Sequence, residues 1–294
     1  MDCINVLEVN RLGRLNEEVS NYKKKKYPSL VVGEHNRLRS STPGKFNSPR
    51  SIAIDPETNN IYICDVGNDR VQIFTESLRF LFAFSDELNG PDGICIDLNN
   101  VLVTQRDSHA VNIYSIVGVF IKSVGRKGNK ELEFHWPRGI AVSLDKRIYI
   151  CDWANNRIQC LNFNLSFNSF FYGMKGPRDV KLTLLYIVIL VENDLCVRFY
   201  DYDHQFLKEI ITRGKGNQVT HSFYFCLDRE CNIIMTDHSA NCILIFSSRG
   251  DLLHKYGSKG DKRGDLLDPV GVALDSQNRF IVASRNSENC IQMF

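Results

Sequence analysis

The sequence predicts an all-β protein: a six-bladed β-propeller closed by an outer strand from its N-terminal side. Three observations carry this expectation. The stretches YICDVGNDRVQIF (62–74) and YICDWANNRIQCL (149–161) are near copies of one another. The pattern behind them recurs along the chain at about 40 to 48 residues, the length of four short antiparallel strands with their turns. The apolar runs within each unit are short, rich in β-branched and aromatic residues, and bounded by Gly, Asn and Asp, which is the chemistry of strands rather than helices.

The units can be taken in order. They open at Pro49, Pro91, Pro137, Pro177, Ser222 and Pro269, and their third strands end at Phe74, Tyr114, Leu161, Phe199, Phe246 and Phe294. In the first unit SIAID (51–55), IYICD (61–65) and RVQIF (70–74) are the inner three strands. A fourth follows in most units, as RFLFAFS (79–85), VFIKSVG (119–125), QFLKEII (205–211) and LLHKYG (252–257). Radial packing of such sheets removes nearly all exposed edge. The sixth unit stops on its third strand. Upstream of the first unit, SLVVGEHNRLRSSTPGKFNSP (29–49) repeats the outer-strand and lead-in pattern of FIKSVGRKGNKELEFHWP (120–137). Ser29 to Val32 is therefore expected to pair as the outer strand of the last blade. This divides the chain into a leader, 1–26, and a propeller, 27–294.

Composition bounds the partners. A chain of 294 residues with 43% hydrophobic content has material for an ample core. With 36 basic and 34 acidic residues the net charge is +2, so any attraction to nucleic acid must come from local patches. The longest apolar run, VKLTLLYIVILV (180–191), is too short to span a bilayer, and the N-terminal residues lack a secretory apolar run, so no membrane partner and a cytoplasmic location are expected. The ten cysteines include no C-x-x-C, and the closest pair, Cys226 and Cys231, has no second pair at metal-binding spacing. They read as small buried hydrophobes of a reducing compartment, with no cofactor or metal implied. In the leader, Leu12, Leu15, Val19 and Tyr22 form a short seam before KKKK (23–26), suited to a short helix or to a solvated amphipathic segment.

The repeated Cys-Asp pair is architecture rather than a duplicated active site. Across the units the Asp65 position holds Asp65, Gln105, Asp152, Leu190, Asp237 and Arg285, and the Cys64 position holds Cys64, Thr104, Cys151, Ile189, Thr236 and Ser284. An Asp ending a strand can accept backbone N–H groups of the turn that follows, and Arg70 or Arg157, five residues on, is within reach of it.

Units such as SPRSIAIDPETNNIYICDVGNDRVQIF and WPRGIAVSLDKRIYICDWANNRIQCL resemble NHL repeats. The match is strong in the first, third and sixth units, fair in the second and fifth, and weak in the fourth, where LLYIVILVENDLCVRFY (184–200) has lost the Asp and the Arg. It covers 29–294. The resemblance implies a recognition propeller of the kind that ends tripartite-motif proteins, some of which engage single-stranded RNA on the loop face and others proteins. This sequence has no ring or B-box, so ubiquitin-ligase activity would require a ring domain in a longer product.

A propeller carries function on its loops. The loops between second and third strands share a face with the lead-in to each first strand, where Arg50, Arg138 and Arg178 recur just after the proline. These three are expected to be free cations around the channel mouth. Trp153 is expected to be an exposed aromatic anchor, Asn155 and Asn156 hydrogen-bonding neighbours, and His109 and His238 contributors from comparable turns. The expected partner is a protein or a single-stranded RNA segment, with stacking on Trp153. Asp65, Asp69, Asp92, Asp107, Asp152, Asp179, Glu192, Asp194 and Asp237 on the same face weaken the argument for phosphate. The alternative is a propeller enzyme, a calcium-dependent lactonase or a zinc lyase. Its ligand sets are missing: only Asp92 and Asp179 offer carboxylates at first strands, and the seven histidines are scattered. Lys181 stands where the other units have Ala or Cys, and is expected to extend into a wet channel.

Overall fold

The computed structural model describes residues 28–35, 40, 42–214, 217–218, 221–260, 262–287 and 290–294. The leader expected over 1–26 lies outside these, as does Cys3. No helix of the described residues is long and apolar enough to cross a membrane.

Six four-stranded antiparallel sheets form the blades of a β-propeller. Blade 1 comprises Pro49–Ile54, Ile61–Asp65, Arg70–Phe74 and Phe80–Phe84. Blade 2 comprises Pro91–Asp97, Asn100–Gln105, Ala110–Ser115 and Phe120–Val124. Blade 3 comprises Pro137–Val142, Arg147–Asp152, Arg157–Asn162 and Phe167–Phe171. Blade 4 comprises Pro177–Leu182, Ile187–Val191, Cys196–Tyr200 and Phe206–Ile211. Blade 5 comprises Phe225–Leu227, Ile233–Asp237, Cys242–Phe246 and Leu252–Tyr256. Blade 6 takes Pro269–Leu274, Phe280–Ser284 and Ile291–Met293 from the C-terminal side and Leu30–Val32 from the N-terminal side.

That last pairing is the expected closure, with Leu30 opposite Met293, Val31 opposite Gln292 and Val32 opposite Ile291. Ser29 adds its N–H and hydroxyl to the Met293 carbonyl at 2.7 and 3.1 Å. Arg263 holds the strand from outside, donating to the carbonyls of Pro28 and Ser29 at 3.0 and 2.6 Å.

The first strands of neighbouring blades lie against one another around the axis. Glycine permits the approach where blade 6 meets blade 1: a Cβ on Gly271 would sit 1.9 Å from the Arg50 carbonyl oxygen. The core lies between blades rather than within them. Tyr62, Cys64, Val71 and Ile73 of blade 1 pack on Ile94, Val101, Val103 and Tyr114 of blade 2, and the same layer repeats around the ring. All nine described cysteines are free, and all but Cys95 are buried.

Where a repeat carries them, its Asp and Gln fasten the lead-in loop. Asp65 accepts the Asn47 N–H at 2.7 Å, and Asp152 accepts that of His135 at 2.7 Å. In these two blades the backbone donor belongs to the lead-in, while the turn that follows gives a side-chain amide, Asn68 to Asp65 and Asn155 to Asp152, both at 2.8 Å; Asp237 accepts a backbone N–H of its own turn, from Ala240. Arg70 and Arg157 pair with Asp65 and Asp152 at 2.8 and 2.7 Å, as their spacing predicts. Gln72, Gln159 and Gln292 each bridge an N–H and a carbonyl of the same loop. Blade 4 has lost this set, and Arg198 substitutes by reaching the Gly173 carbonyl at 2.8 Å.

Candidate functional site

The residue after each lead-in proline starts the first strand at the axis, so its side chain turns inward rather than onto the face. The expectation that Arg50, Arg138 and Arg178 are free surface cations is therefore corrected: they are 9%, 8% and 2% exposed. Arg50 and Arg138 each place Nη1 2.6 Å from the same oxygen, Oδ2 of Asp92, across two blade boundaries. Tyr224 of blade 5 donates its hydroxyl to Asp92 Oδ1 and, at 3.0 Å, to the Asp92 carbonyl. Arg178 lies over the rings of Phe223 and Tyr224, 4.4 and 5.6 Å from their centroids. These side chains meet where the first strands of the blades converge.

Electrostatics follow from that clasp. Burial alone would push the Asp92 carboxyl up, but Arg50, Arg138 and Arg178 outweigh it and hold the group well below the usual carboxylate range. Burial, reinforced by Arg138, pushes Arg178 down to about 10. Burial and Asp92 raise the Tyr224 hydroxyl, which stays a donor. Lys181 is not simply extended into water: its Nζ is 3.0 Å from Asp179, whose carboxylate also takes the Phe225 N–H at 3.2 Å.

An aromatic ladder stands on the face beside this clasp. Ring centroids run from His109 to His135 at 5.6 Å, from His135 to Trp136 at 5.0 Å, and from Trp136 to Trp153 at 5.9 Å. Trp153 is half-buried, with its indole N–H on Glu192 at 2.7 Å and the Arg138 guanidinium 5.5 Å from its ring centre. Trp136 is 41% exposed and sits at φ 56°, and its N–H donates to His109 Nδ1 at 3.0 Å. A left-handed bulky residue is unusual. The equivalent positions, also left-handed, hold Ser48, Gly90, Gly176 and Asp268.

The remaining predicted residues separate into two groups. Asn155 and Asn156 serve the fold: Asn155 donates to Gly128 O and Asp152, both at 2.8 Å, and Asn156 is left-handed and accepts the Gly176 N–H at 2.8 Å. His109 joins the ladder, and burial, then His135 and Lys127, lowers its pKa. His238 stands apart in blade 5, against Phe223 and 3.7 Å from Asp268. Sequence reasoning passed over Trp136, His135 and Tyr224. The signal for Trp136 was present as a tryptophan directly before a lead-in proline where other repeats have glycine, serine or aspartate. Among the described residues no three His, Cys, Asp or Glu side chains converge as metal ligands.

A family model described as NHL repeat matches residues 46–74 and 134–161, which are blades 1 and 3 with their lead-ins. The chain is similar to Protein brain tumor of Drosophila melanogaster, at 28% identity over 124 residues. That match takes in 39% of this chain and only 11% of the length of the fly protein. Among solved structures, an auxiliary nutrient binding protein from Bacteroides thetaiotaomicron is similar at a TM-score of 0.69 and 14% identity, covering 91% of this chain and 75% of that one. A gluconolactonase from Xanthomonas campestris gives 0.65 at 12% identity, covering 84% and 86%. A virginiamycin B lyase from Staphylococcus aureus gives 0.56 at 11%, covering 84% of each chain. At these identities the likeness is one of fold. NHL repeats thus form blades 1 and 3 of a six-bladed β-propeller.

Proposed function

We propose that the protein is a non-catalytic, cytoplasmic recognition module that takes a protein partner on the loop face over blades 2 to 4, anchored by Trp136 and Trp153. The observation that carries this reading is Trp136, a large apolar side chain held exposed in a conformation that other blades give to glycine or a small polar residue. Core packing does not require it there, and exposed Trp beside a second Trp is the composition of an interface hot spot. The buried arginines favour a protein over single-stranded RNA, because these cations lie at the axis, out of reach of a strand stretched over the loop face. The axial carboxylates speak in the same way against a metal-dependent propeller enzyme: Asp92 is held by two arginines and Asp179 by Lys181. The free cysteines support a reducing compartment.

Pull-down from native cells, resolved into protein and RNA fractions, tests the reading. The wild type should enrich a protein with weak salt dependence, and Trp136→Ala combined with Trp153→Ala should lose it. Enrichment of RNA with a steep fall in binding as salt rises, or unchanged protein capture by the double variant, would refute it.

A further inference from the structure

We propose that the buried arginine cluster at the propeller axis binds a small tetrahedral oxyanion, of the phosphate or sulfate class, between Arg178, Arg50 and Arg138. The inference starts from charge. Two guanidinium groups, of Arg50 and Arg138, share one fully buried carboxylate, Asp92, and Arg178 adds a third positive charge near enough to help hold that carboxyl ionised. Glu192, the next acid, lies 4.0 Å from Arg178 Nη1 and gives its Oε2 to the Trp153 indole instead. The cluster therefore carries one to two positive charges beyond what its own residues neutralise, in a place where unpaired charge is costly.

The second observation is the set of unused donors. Nε of Arg50, Nε of Arg138, and both Nε and Nη2 of Arg178 are buried with no hydrogen-bond partner among the described residues. Nε of Arg285, in blade 6, is in the same condition. Buried polar groups in folded proteins are rarely left unpaired, and several on converging arginines point to a missing acceptor. Burial and the neighbouring Arg138 already press Arg178 toward its neutral form, a pressure that a bound anion would relieve. The donors come from separate blades, so they suit oxygens pointing in several directions better than the flat pair of a carboxylate, a role Asp92 already fills.

Thermal unfolding with inorganic phosphate, sulfate, acetate or chloride at constant ionic strength tests this without any macromolecular partner, so its outcome is independent of the interface reading. The wild-type melting temperature should rise saturably by several degrees with phosphate and sulfate, and not with acetate or chloride. Arg178→Met and Arg178→Gln should abolish that rise, and without phosphate both should melt at or above the wild-type temperature, because an unpaired buried charge has been removed. A rise that does not saturate and persists in the variants is general salting-out and would overturn the proposal, as would no rise at all. Titration calorimetry of the wild type with phosphate is the arm that does not depend on variants folding: one ion per chain supports the site, and no heat refutes it.

Discussion

Tyr224 in blade 5 donates its hydroxyl to the Asp92 carbonyl in blade 2 at 3.0 Å, joining opposite sides of the propeller across 132 residues of chain. The same hydroxyl also reaches the Asp92 carboxylate, which two arginines share. Tyr224→Phe should therefore cost about 1–3 kcal/mol in urea unfolding, the usual penalty for stripping a partner from a buried polar group. Asp92→Asn should cost more, about 3–5 kcal/mol, because it leaves a buried positive cluster uncompensated. A cost below that of Tyr224→Phe would show that the arginines are neutralised elsewhere.

The pH dependence of that penalty has a definite sign. Asp92 is depressed in the folded state, so its stabilisation is complete above the unfolded carboxyl pKa of about 3.9 and is lost as pH falls toward the lower folded value. Asp65 and Asp152 are raised by burial despite their Asn and Arg partners, so their contribution has the opposite sign and weakens as pH rises. The stability gap between wild type and Asp92→Asn should thus narrow as pH falls from about 5 to about 2. Urea midpoints measured over that range would show it, and a constant gap would contradict the clasp.

Ring closure gives a second pair of variants. Deleting 1–26 keeps the strand Leu30–Val32, whereas deleting 1–34 removes it and bares the edge of Ile291–Met293. The longer deletion should lose about 3 kcal/mol or more, or aggregate through the open edge, and the shorter one should melt near the full chain. Equal melting temperatures would exclude the seam as a source of stability.

Thr104 links blades at the axis. Its hydroxyl donates to the Arg138 carbonyl and accepts the Gly93 N–H at 2.8 Å, and Thr236 repeats the link to Val270 O at 2.8 Å. Thr104→Val should cost about 1–3 kcal/mol, since it removes both bonds without changing shape. Cys151 occupies the matching position in blade 3, so Cys151→Thr should fall within about 1.5 kcal/mol of wild type by calorimetry. A larger loss would mean that the thiol has packing the hydroxyl cannot reproduce.

Trp136 separates stability from binding. Trp136→Gly relieves a left-handed tryptophan and should leave stability unchanged or raise it by up to about 1 kcal/mol while abolishing partner capture. His109 accepts the Trp136 N–H only when its Nδ1 is unprotonated. Its lowered pKa means that this contribution is present above the ordinary histidine value of about 6.5 and is lost as pH falls through the folded value. Proton resonances of His109 should titrate below that ordinary value in the wild type and move toward it in Trp136→Gly.

The architecture was legible because each blade is written by local chemistry. The run IYICD recurs at 148–152 in blade 3, followed after the same turn length by RIQCL in place of RVQIF, and even the missing outer strand could be assigned to Ser29 to Val32, of which Leu30–Val32 pair in the sheet. The outer strand of blade 3, Phe167–Phe171, was harder to see because Asn168 and Ser169 interrupt its apolar run. The loop-fastening pairs Asp65–Arg70 and Asp152–Arg157 were also readable, since five residues and one turn determine them.

Which way Arg50, Arg138 and Arg178 face is a different kind of question. Nothing within a single repeat distinguishes an arginine that reaches solvent from one that turns to the axis; the answer depends on Asp92 and Tyr224, which arrive from blades 2 and 5 only when the ring has closed. The ladder from His109 to Trp153 likewise joins blades 2 and 3. Periodic local patterning determined the six blades and their closure. The tertiary structure alone decided what stands at the axis and on the face, because there the partners are set by the rotation of one blade against the next and not by neighbours in the chain.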